Sequence, residues 1–274
     1  MDYRISVAGL IVGILIGMTG MGGGSLLAPI LILLFGVPPV WAVPADIAYS
    51  TITKALGSII HIREKHVNFR AVGWLALGSI PATLLSVLLV QYVHKHYGAL
   101  VNNLIIHAIG AVLILVAVLL FVRPFILRSF ERRKQEKLKQ EALSEAAPEG
   151  APERNRTWVR PFLTVLVGAV FGFLVGLTSV GSGTLIIVSL AFLYPRLTPK
   201  ELVGTDVFQA FLLLLAGSLG YFFTGGINWT IVGLLLIGSL PGVAIGSILT
   251  KYIPNKFLNP VLAVVLGISG WKLI

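Results

Sequence analysis

Residues 17–25, GMTGMGGGS, put five glycines in the middle of an apolar run that extends from residue 5 to residue 35. Glycine is the poorest helix former after proline, so a helix that enters this segment is expected to break there. The pattern returns 159 positions later, where GFLVGLTSVGSGT (172–184) aligns with GILIGMTGMGGGS (13–25). The sequence therefore predicts two interrupted apolar segments at equivalent places in a repeated unit.

The composition predicts a polytopic membrane protein. Of the 274 residues, 56% are hydrophobic and 12% are charged, whereas soluble domains carry about 25% charged residues. Several nearly uncharged segments exceed about 18 residues, which is the length needed to cross the hydrocarbon core. The chain has no cysteine, which excludes disulfides, thiolate metal sites and cysteine nucleophiles.

The repeat continues beyond the glycine segments at a shift of 160. Asp46 aligns with Asp206, and VNFRAVGWLALGSIP (67–81) aligns with INWTIVGLLLIGSLP (227–241). Duplicated halves are typical of secondary transporters. We expect an all-α fold of about 8–10 membrane helical segments, in which each repeat is a broken, re-entrant hairpin followed by three transmembrane helices. The expected helices cover residues 45–61, 70–93, 102–123, 204–222, 229–250 and 257–273.

Three parts follow along the chain: a first membrane repeat at 1–124, a charged linker at 125–158 and a second membrane repeat at 159–274. The linker region, from Arg123 to Arg160, holds ten of the 21 lysines and arginines, which argues against nucleic-acid binding despite the net charge of +10. With that linker in the cytoplasm and the repeats inverted, 17 cations lie inside and three outside, as the positive-inside rule favours. If each broken segment crossed the membrane once, the repeats would instead be parallel.

The hairpin tips are the predicted substrate site. The first limb, residues 5–17, spans about 20 Å, so its tip should stay within the membrane and face protein or a cavity. Free backbone N–H groups at the helix starts beyond the tips, with nearby hydroxyls, suit a small oxyanion. An alternative is that the glycines only allow close helix packing. The candidate residues are Thr19, Gly20, Gly22, Gly23, Gly24 and Ser25 in the first tip, and Thr178, Ser179, Gly181, Ser182, Gly183 and Thr184 in the second.

Two full charges lie in the apolar sequence between Arg4 and His61, namely Asp46 and Lys54. Asp46, Ser50, Lys54 and Ser58 follow at intervals of four and so share one helix face. With Thr51 beside it, Lys54 is predicted to act as counter-charge for a bound anion. The alternative is an internal ion pair, for example with Asp206.

Asp46, Asp206 and Gln209 are candidates for handling a coupling ion, either a proton or sodium. The plainer alternative is that both aspartates cap or begin their helices, after VPA and VGT respectively. The histidines show no convincing metal-ligand spacing, so they are read as interfacial and no metal or other cofactor is expected.

At this point the residues resemble those of the sulfite exporter TauE/SafE family, the 4-toluene sulfonate uptake permeases. The resemblance rests on GMTGMGGGSLLAPIL (17–31), STITKALGSIIHIREKHVNFR (50–70), GLTSVGSGTLI (176–186), VGTDVFQA (203–210) and GSLPG (238–242). It implies an integral membrane transporter of sulfur-containing anions. Ser179 and Ser182 replace glycines of the first repeat, so the two tips are not expected to be equivalent.

The sequence therefore predicts a secondary transporter in the cytoplasmic membrane that moves sulfite or an organosulfonate by alternating access. A channel or a permease for another small anion is the nearest alternative, and a non-transporting membrane subunit is a more distant one. An enzyme is not expected, because the chain lacks a convincing Ser/His/Asp set and a His-rich metal cluster. The expected partners are a small anion and the lipid bilayer.

Overall fold

The computed structural model describes residues 3–19, 27–97, 102–122, 159–181, 183–195, 197–249 and 255–274. Within these ranges the chain forms ten helices and no strand, which confirms the predicted all-α class. The helices of the first half are α1 (Tyr3–Thr19), α2 (Leu27–Phe35), α3 (Pro39–Arg63), α4 (Phe69–Tyr97) and α5 (Asn102–Val122). Those of the second half are α6 (Val159–Thr178), α7 (Thr184–Leu193), α8 (Pro199–Phe223), α9 (Trp229–Leu249) and α10 (Asn255–Leu273).

Five of these helices are long and apolar enough to cross a membrane: α4, α5, α6, α8 and α9. Large hydrophobic side chains such as Leu85, Phe162 and Ile237 are exposed along them. Lipid-facing surfaces carry such side chains because acyl chains are as apolar as they are. The prediction of a polytopic membrane protein is therefore confirmed.

Two equivalent pairs of helices pack closely, each joining a helix of one half to a helix of the other. In α1, Gly13 lies against the backbone of Ser239 in α9, and in α6, the equivalent Gly172 lies against the backbone of Ser79 in α4. A side chain on either glycine would overlap the neighbouring backbone. These glycines thus serve close packing, which is the role that sequence reasoning kept as the alternative for the glycine segments.

The contacts also fix the relative directions of the helices. Gly168, Gly172 and Gly176 in α6 meet Leu75, Ser79 and Thr83 in α4, so these two helices run parallel. In α1, Gly9 and Gly13 meet Leu235 and Ser239 in α9, so this pair is also parallel.

The longest buried helices, α3 and α8, cross each other in the opposite sense. The Ser58 hydroxyl donates a hydrogen bond to the Val207 carbonyl at 3.4 Å, while Ile47 contacts Gly217. Because residue numbers rise along α3 as those of the contacting residues fall along α8, the two helices are antiparallel. They carry most of the buried polar side chains, so their crossing positions the candidate site.

The second interrupted segment doubles back. After α6, Ser179 and Gly181 have φ angles of 61° and 99°, and α7 begins shortly afterwards. The hydroxyl of Tyr194, just beyond α7, lies 3.1 Å from that of Thr164, near the start of α6. The chain thus returns toward the side from which α6 enters. The 20 residues of α6 span about 30 Å, which is longer than the roughly 20 Å expected for the limb 5–17 of the first segment.

The helices α3 and α8 begin earlier than predicted. Both start at a proline, Pro39 and Pro199, about six residues before the expected first residue. The expected boundary at VPA was wrong because Pro44 lies inside α3 rather than before it. In α8, Thr198 and Glu201 form a capping box, which fixes the helix start upstream of Asp206.

Candidate functional site

A line of buried polar side chains follows one face of α3, as the four-residue spacing predicts. Asp46, Ser50, Lys54 and Ser58 are at most 4% exposed. The Ser50 hydroxyl donates a hydrogen bond to Asp46 Oδ1 at 3.1 Å, and the Ser58 hydroxyl donates to the Lys54 carbonyl at 2.7 Å. Polar groups buried at this depth are costly and point to function.

Both interrupted segments adjoin the carboxylate of Asp46. The side chain of Ser179, at the turn after α6, lies close to it, and so does the backbone of Ala28 in the first turn of α2. The first turn of a helix presents free N–H groups and partial positive charge. In this conformation the Asp46 carboxylate therefore lies where a helix start favours an anion.

Lys54 is attracted by two carboxylates, by Asp206 on α8 more than by Asp46 on its own helix. All three side chains are almost completely buried. This arrangement agrees with the alternative of an internal ion pair. When all three groups are ionised, the cluster carries one net negative charge, so Lys54 is already compensated before any substrate arrives.

Asp46 and Asp206 do not cap their helices, so the plainer alternative for them was wrong. The N-cap positions are Pro38 for α3 and Thr198 for α8, and Asp46 lies two turns inside α3. Gln209 contacts another helix: its Nε2 donates to the hydroxyl of Ser79 at 2.6 Å, which joins α8 to α4.

Sequence reasoning missed a second pair of neighbouring polar side chains, Tyr49 on α3 and Ser239 on α9. They are the repeat equivalents of Gln209 and Ser79, each shifted by 160 positions. The two serines could have been noticed in the aligned GS-x-P segments. Their contacts with α3 and α8 could not be predicted, because these depend on how the helices pack. The two pairs flank the α3–α8 crossing symmetrically.

Several buried polar atoms around this crossing have no hydrogen-bond partner among the described residues. They are Asp46 Oδ2, Tyr49 OH, Ser179 Oγ, Gln209 Oε1 and Ser239 Oγ. Burying a polar group without a partner costs about 1–3 kcal/mol. Such a concentration of unpaired groups is typical of a place where a ligand or water binds.

Two threonines of the predicted site, Thr51 and Thr178, are engaged locally. The Thr51 hydroxyl donates to the Ile47 carbonyl at 2.7 Å, within its own helix. The Thr178 hydroxyl donates to the Leu174 carbonyl at 2.7 Å and accepts from the Val180 N–H at 3.2 Å, which closes the end of α6. Their predicted roles in substrate binding stay predictions.

The second tip otherwise follows the expected pattern. Gly183 is the N-cap of α7 and provides no side-chain cap, which leaves the first N–H groups of that helix for other acceptors. Six predicted site residues lie outside the described residues: Gly20, Gly22, Gly23, Gly24, Ser25 and Ser182. The side chains of Thr19 and Thr184 lie outside them as well.

Three potential metal ligands meet at the turn between α3 and α4, where the spacing of the histidines predicted none. His61, Glu64 and His66 offer ligand atoms within 4.8 Å of one another. The sequence spacing did not predict this grouping, because it depends on how the turn folds back, whereas the interfacial position of the histidines stays a prediction.

Comparisons with known proteins place the chain among membrane transporters. A model of the family described as "Sulfite exporter TauE/SafE" matches residues 5–273. The chain is 38% identical to "Probable membrane transporter protein YjnA" of Bacillus subtilis (strain 168), with 100% of each chain covered. It is 25% identical to "Probable membrane transporter protein YdhB" of the same organism, over 96% of each chain. It is 28% identical to "Probable membrane transporter protein MJ0441" of Methanocaldococcus jannaschii, over 96% of this chain and 92% of that protein. No solved structure gives a significant match.

Proposed function

Because the chain belongs to the sulfite exporter TauE/SafE family, we propose that this membrane transporter moves a small sulfur-containing anion, sulfite or an organosulfonate, by alternating access. The observation that carries the proposal is the meeting of both interrupted segments at Asp46. There a helix start and unpaired hydroxyls surround one carboxylate beside Lys54. Helix starts and hydroxyl groups are the parts of this arrangement that bind small oxyanions.

The helix directions support inverted halves. A short loop joins α3 to α4, and another joins α8 to α9, so the two helices of each pair run in opposite directions. With α4 parallel to α6, α1 parallel to α9 and α3 antiparallel to α8, the helices α1, α3 and α4 oppose their counterparts α6, α8 and α9. Inverted repeats place a substrate site near the midplane, where the two halves meet.

The same directions support a cytoplasmic linker. They place the loop at 62–70 and the start of α8 on one side, where the Asn68 N–H donates to the Thr205 hydroxyl at 3.0 Å. The starts of α6 and α10 fall on this side too. The cations near these ends then share the side assigned to the linker, as the positive-inside rule requires.

Charge accounting indicates that a proton accompanies the substrate. An anion that binds beside Asp46 meets a cluster with one net negative charge, and it competes with the Asp46 carboxylate for the N–H groups near Ala28. Protonation of Asp46 removes both obstacles. We therefore expect anion and proton to move in the same direction.

The test is uptake of radiolabelled sulfite and of an alkyl sulfonate into liposomes that contain the purified protein. A carrier gives saturable uptake that substrate loaded inside the vesicles stimulates, whereas a channel gives neither. Empty liposomes are the control for leakage. Uptake of neither anion above that control would contradict the proposed substrate class.

The coupling is tested with the same vesicles under an inward proton gradient. The gradient should accelerate uptake by the wild type but not by Asp46→Asn. Glu201→Gln is the matched control, because it also removes one carboxylate yet retains a side chain that can complete the capping box. A wild type that ignores the gradient, or an Asp46→Asn variant that still responds, would contradict proton coupling through Asp46.

A further inference from the structure

The turn between α3 and α4 brings three side chains together through its backbone geometry. Lys65 has a φ angle of 58°, the His66 N–H donates to the His61 carbonyl at 3.0 Å, and the Lys65 N–H donates to the Ile62 carbonyl at 3.0 Å. This is the Schellman pattern of helix termination, in which the first and last residues of the motif normally make a hydrophobic contact. Here both positions hold imidazoles, with a carboxylate between them.

The resulting cluster is compact and reachable from solvent. The Nδ1 atom of His66 lies 3.0 Å from Glu64 Oε2, and the two imidazole centroids are 6.0 Å apart. The side chains of His66 and Glu64 are 25% and 54% exposed. His61 Nδ1 is buried and has no hydrogen-bond partner among the described residues.

The equivalent turn of the second half shows that the fold does not require these ligands. Between α8 and α9, the Gly226 N–H donates to the Tyr221 carbonyl at 2.8 Å and the Gly225 N–H donates to the Phe222 carbonyl at 3.1 Å. The backbone pattern is the same, yet the positions of His61, Glu64 and His66 hold Tyr221, Thr224 and Gly226. The ligands of the first turn therefore need an explanation beyond folding.

We propose that His61, Glu64 and His66 bind a divalent transition-metal ion of the Zn²⁺ type. Two imidazoles and one carboxylate are a known zinc ligand set that leaves a fourth position for water. The site lies at the C-terminus of α3, where the helix dipole favours a cation. Binding would draw the ligand atoms, now within 4.8 Å of one another, to the closer spacing of a tetrahedral site.

A bound ion would act close to the α3–α8 crossing. The backbone of His66 packs against Gly204, and Asn68 is hydrogen-bonded to Thr205, directly before Asp206. Fixing the turn would therefore stiffen the contact between the α3–α4 connection and the start of α8. The metal site does not depend on the identity of the transported anion.

The test is Zn²⁺ binding to the purified full chain in detergent, with any affinity tag removed, measured by competition with a chromogenic chelator. The wild type should bind one Zn²⁺ per chain. The double variant Glu64→Thr/His66→Gly, which copies the second turn, should bind at least about tenfold more weakly. Its melting temperature in EDTA should match that of the wild type, which separates lost ligation from misfolding.

Two further variants complete the design. His66→Ala should also weaken binding, whereas His94→Ala, at another helix end, should not. Equal Zn²⁺ affinity of the wild type and the double variant would overturn the proposal, as would a loss of affinity in His94→Ala as large as that in His66→Ala.

Discussion

Lys54 and its two carboxylates are the residues on which the site depends most. The second half has Leu214 at the position equivalent to Lys54, so the cation occurs in one repeat. The two aspartates, Asp46 and Asp206, occupy equivalent positions. One positive charge thus serves two buried carboxylates. Removing one member of a buried charged cluster leaves the others uncompensated.

We predict that Lys54→Leu, which copies the second half, lowers the free energy of unfolding by about 3–5 kcal/mol. Adding Asp206→Asn should restore much of that loss, because the carboxylate that attracts Lys54 most is then neutral. Melting temperatures of the single and double variants in detergent check this. A double variant no more stable than Lys54→Leu alone would contradict the ion pair.

Ser179 combines an unfavourable backbone conformation with a position beside Asp46. Its φ of 61° costs a residue with a side chain about 1–2 kcal/mol, and its repeat equivalent is Gly20. We predict that Ser179→Gly is more stable than Ser179→Ala by about 1 kcal/mol, since both lose the hydroxyl but only glycine relieves the backbone. Equal melting temperatures would show that the turn is not strained at this position.

At this scale the sequence predicted the residue types better than their partners. The spacing from Asp46 to Ser58 predicted the buried polar face of α3, the aligned halves pointed to Asp206, and Gln209 was noted because it lies three residues further on. The partner of Gln209 could not be predicted, because Ser79 reaches it only through the packing of α4 on α8. His61 and His66 meet only because Lys65 adopts a left-handed conformation.

At the scale of elements, close pairs of helices hold the two halves together. The helix α4 meets α6 along three glycines, and α1 meets α9 in the equivalent way. Without a hydrophobic driving force in lipid, close packing over small residues is a main source of helix association. These two helix pairs connect α1 and α6, which lead into the interrupted segments, to α9 and α4, which carry Ser239 and Ser79.

We predict that Gly172→Ala destabilises the protein by about 1–3 kcal/mol, because the added methyl group would overlap the backbone of Ser79. Gly73→Ala is the matched control on α4, where nothing lies within 4 Å of the added carbon. It should be neutral or stabilising by up to about 1 kcal/mol, since alanine favours helix. The melting temperatures of both variants test this prediction. Equal destabilisation by the two substitutions would argue against close packing of α4 on α6.

Element boundaries show where sequence reasoning fails for physical reasons. The helices α3 and α8 were predicted to start near Asp46 and Asp206, just after VPA and VGT. The helix α3 accommodates Pro44 instead, and its start is set by Pro39. The second break was predicted correctly, because Ser179 and Gly181 adopt positive φ angles that end α6.

At the scale of the whole molecule, the proposed substrate site depends on how the two halves are related. Duplication is visible in the sequence and again in equivalent contacts, such as Tyr49 with Ser239 and Gln209 with Ser79. The helix directions favour the inverted relation that we propose, which would bring the two interrupted segments from opposite sides to one site. A parallel relation would leave the two tips on the same side of the membrane.

The most direct test uses the absence of native cysteine. Glu64 and Thr224 are equivalent exposed residues that end α3 and α8, so single cysteines can be introduced at each. Intact cells are labelled with a membrane-impermeant maleimide, and labelling after permeabilisation confirms that both cysteines are reactive. Inverted halves predict that Thr224→Cys reacts in intact cells and that Glu64→Cys reacts only after permeabilisation. Labelling of both or of neither in intact cells would contradict the inverted arrangement and the shared site built on it.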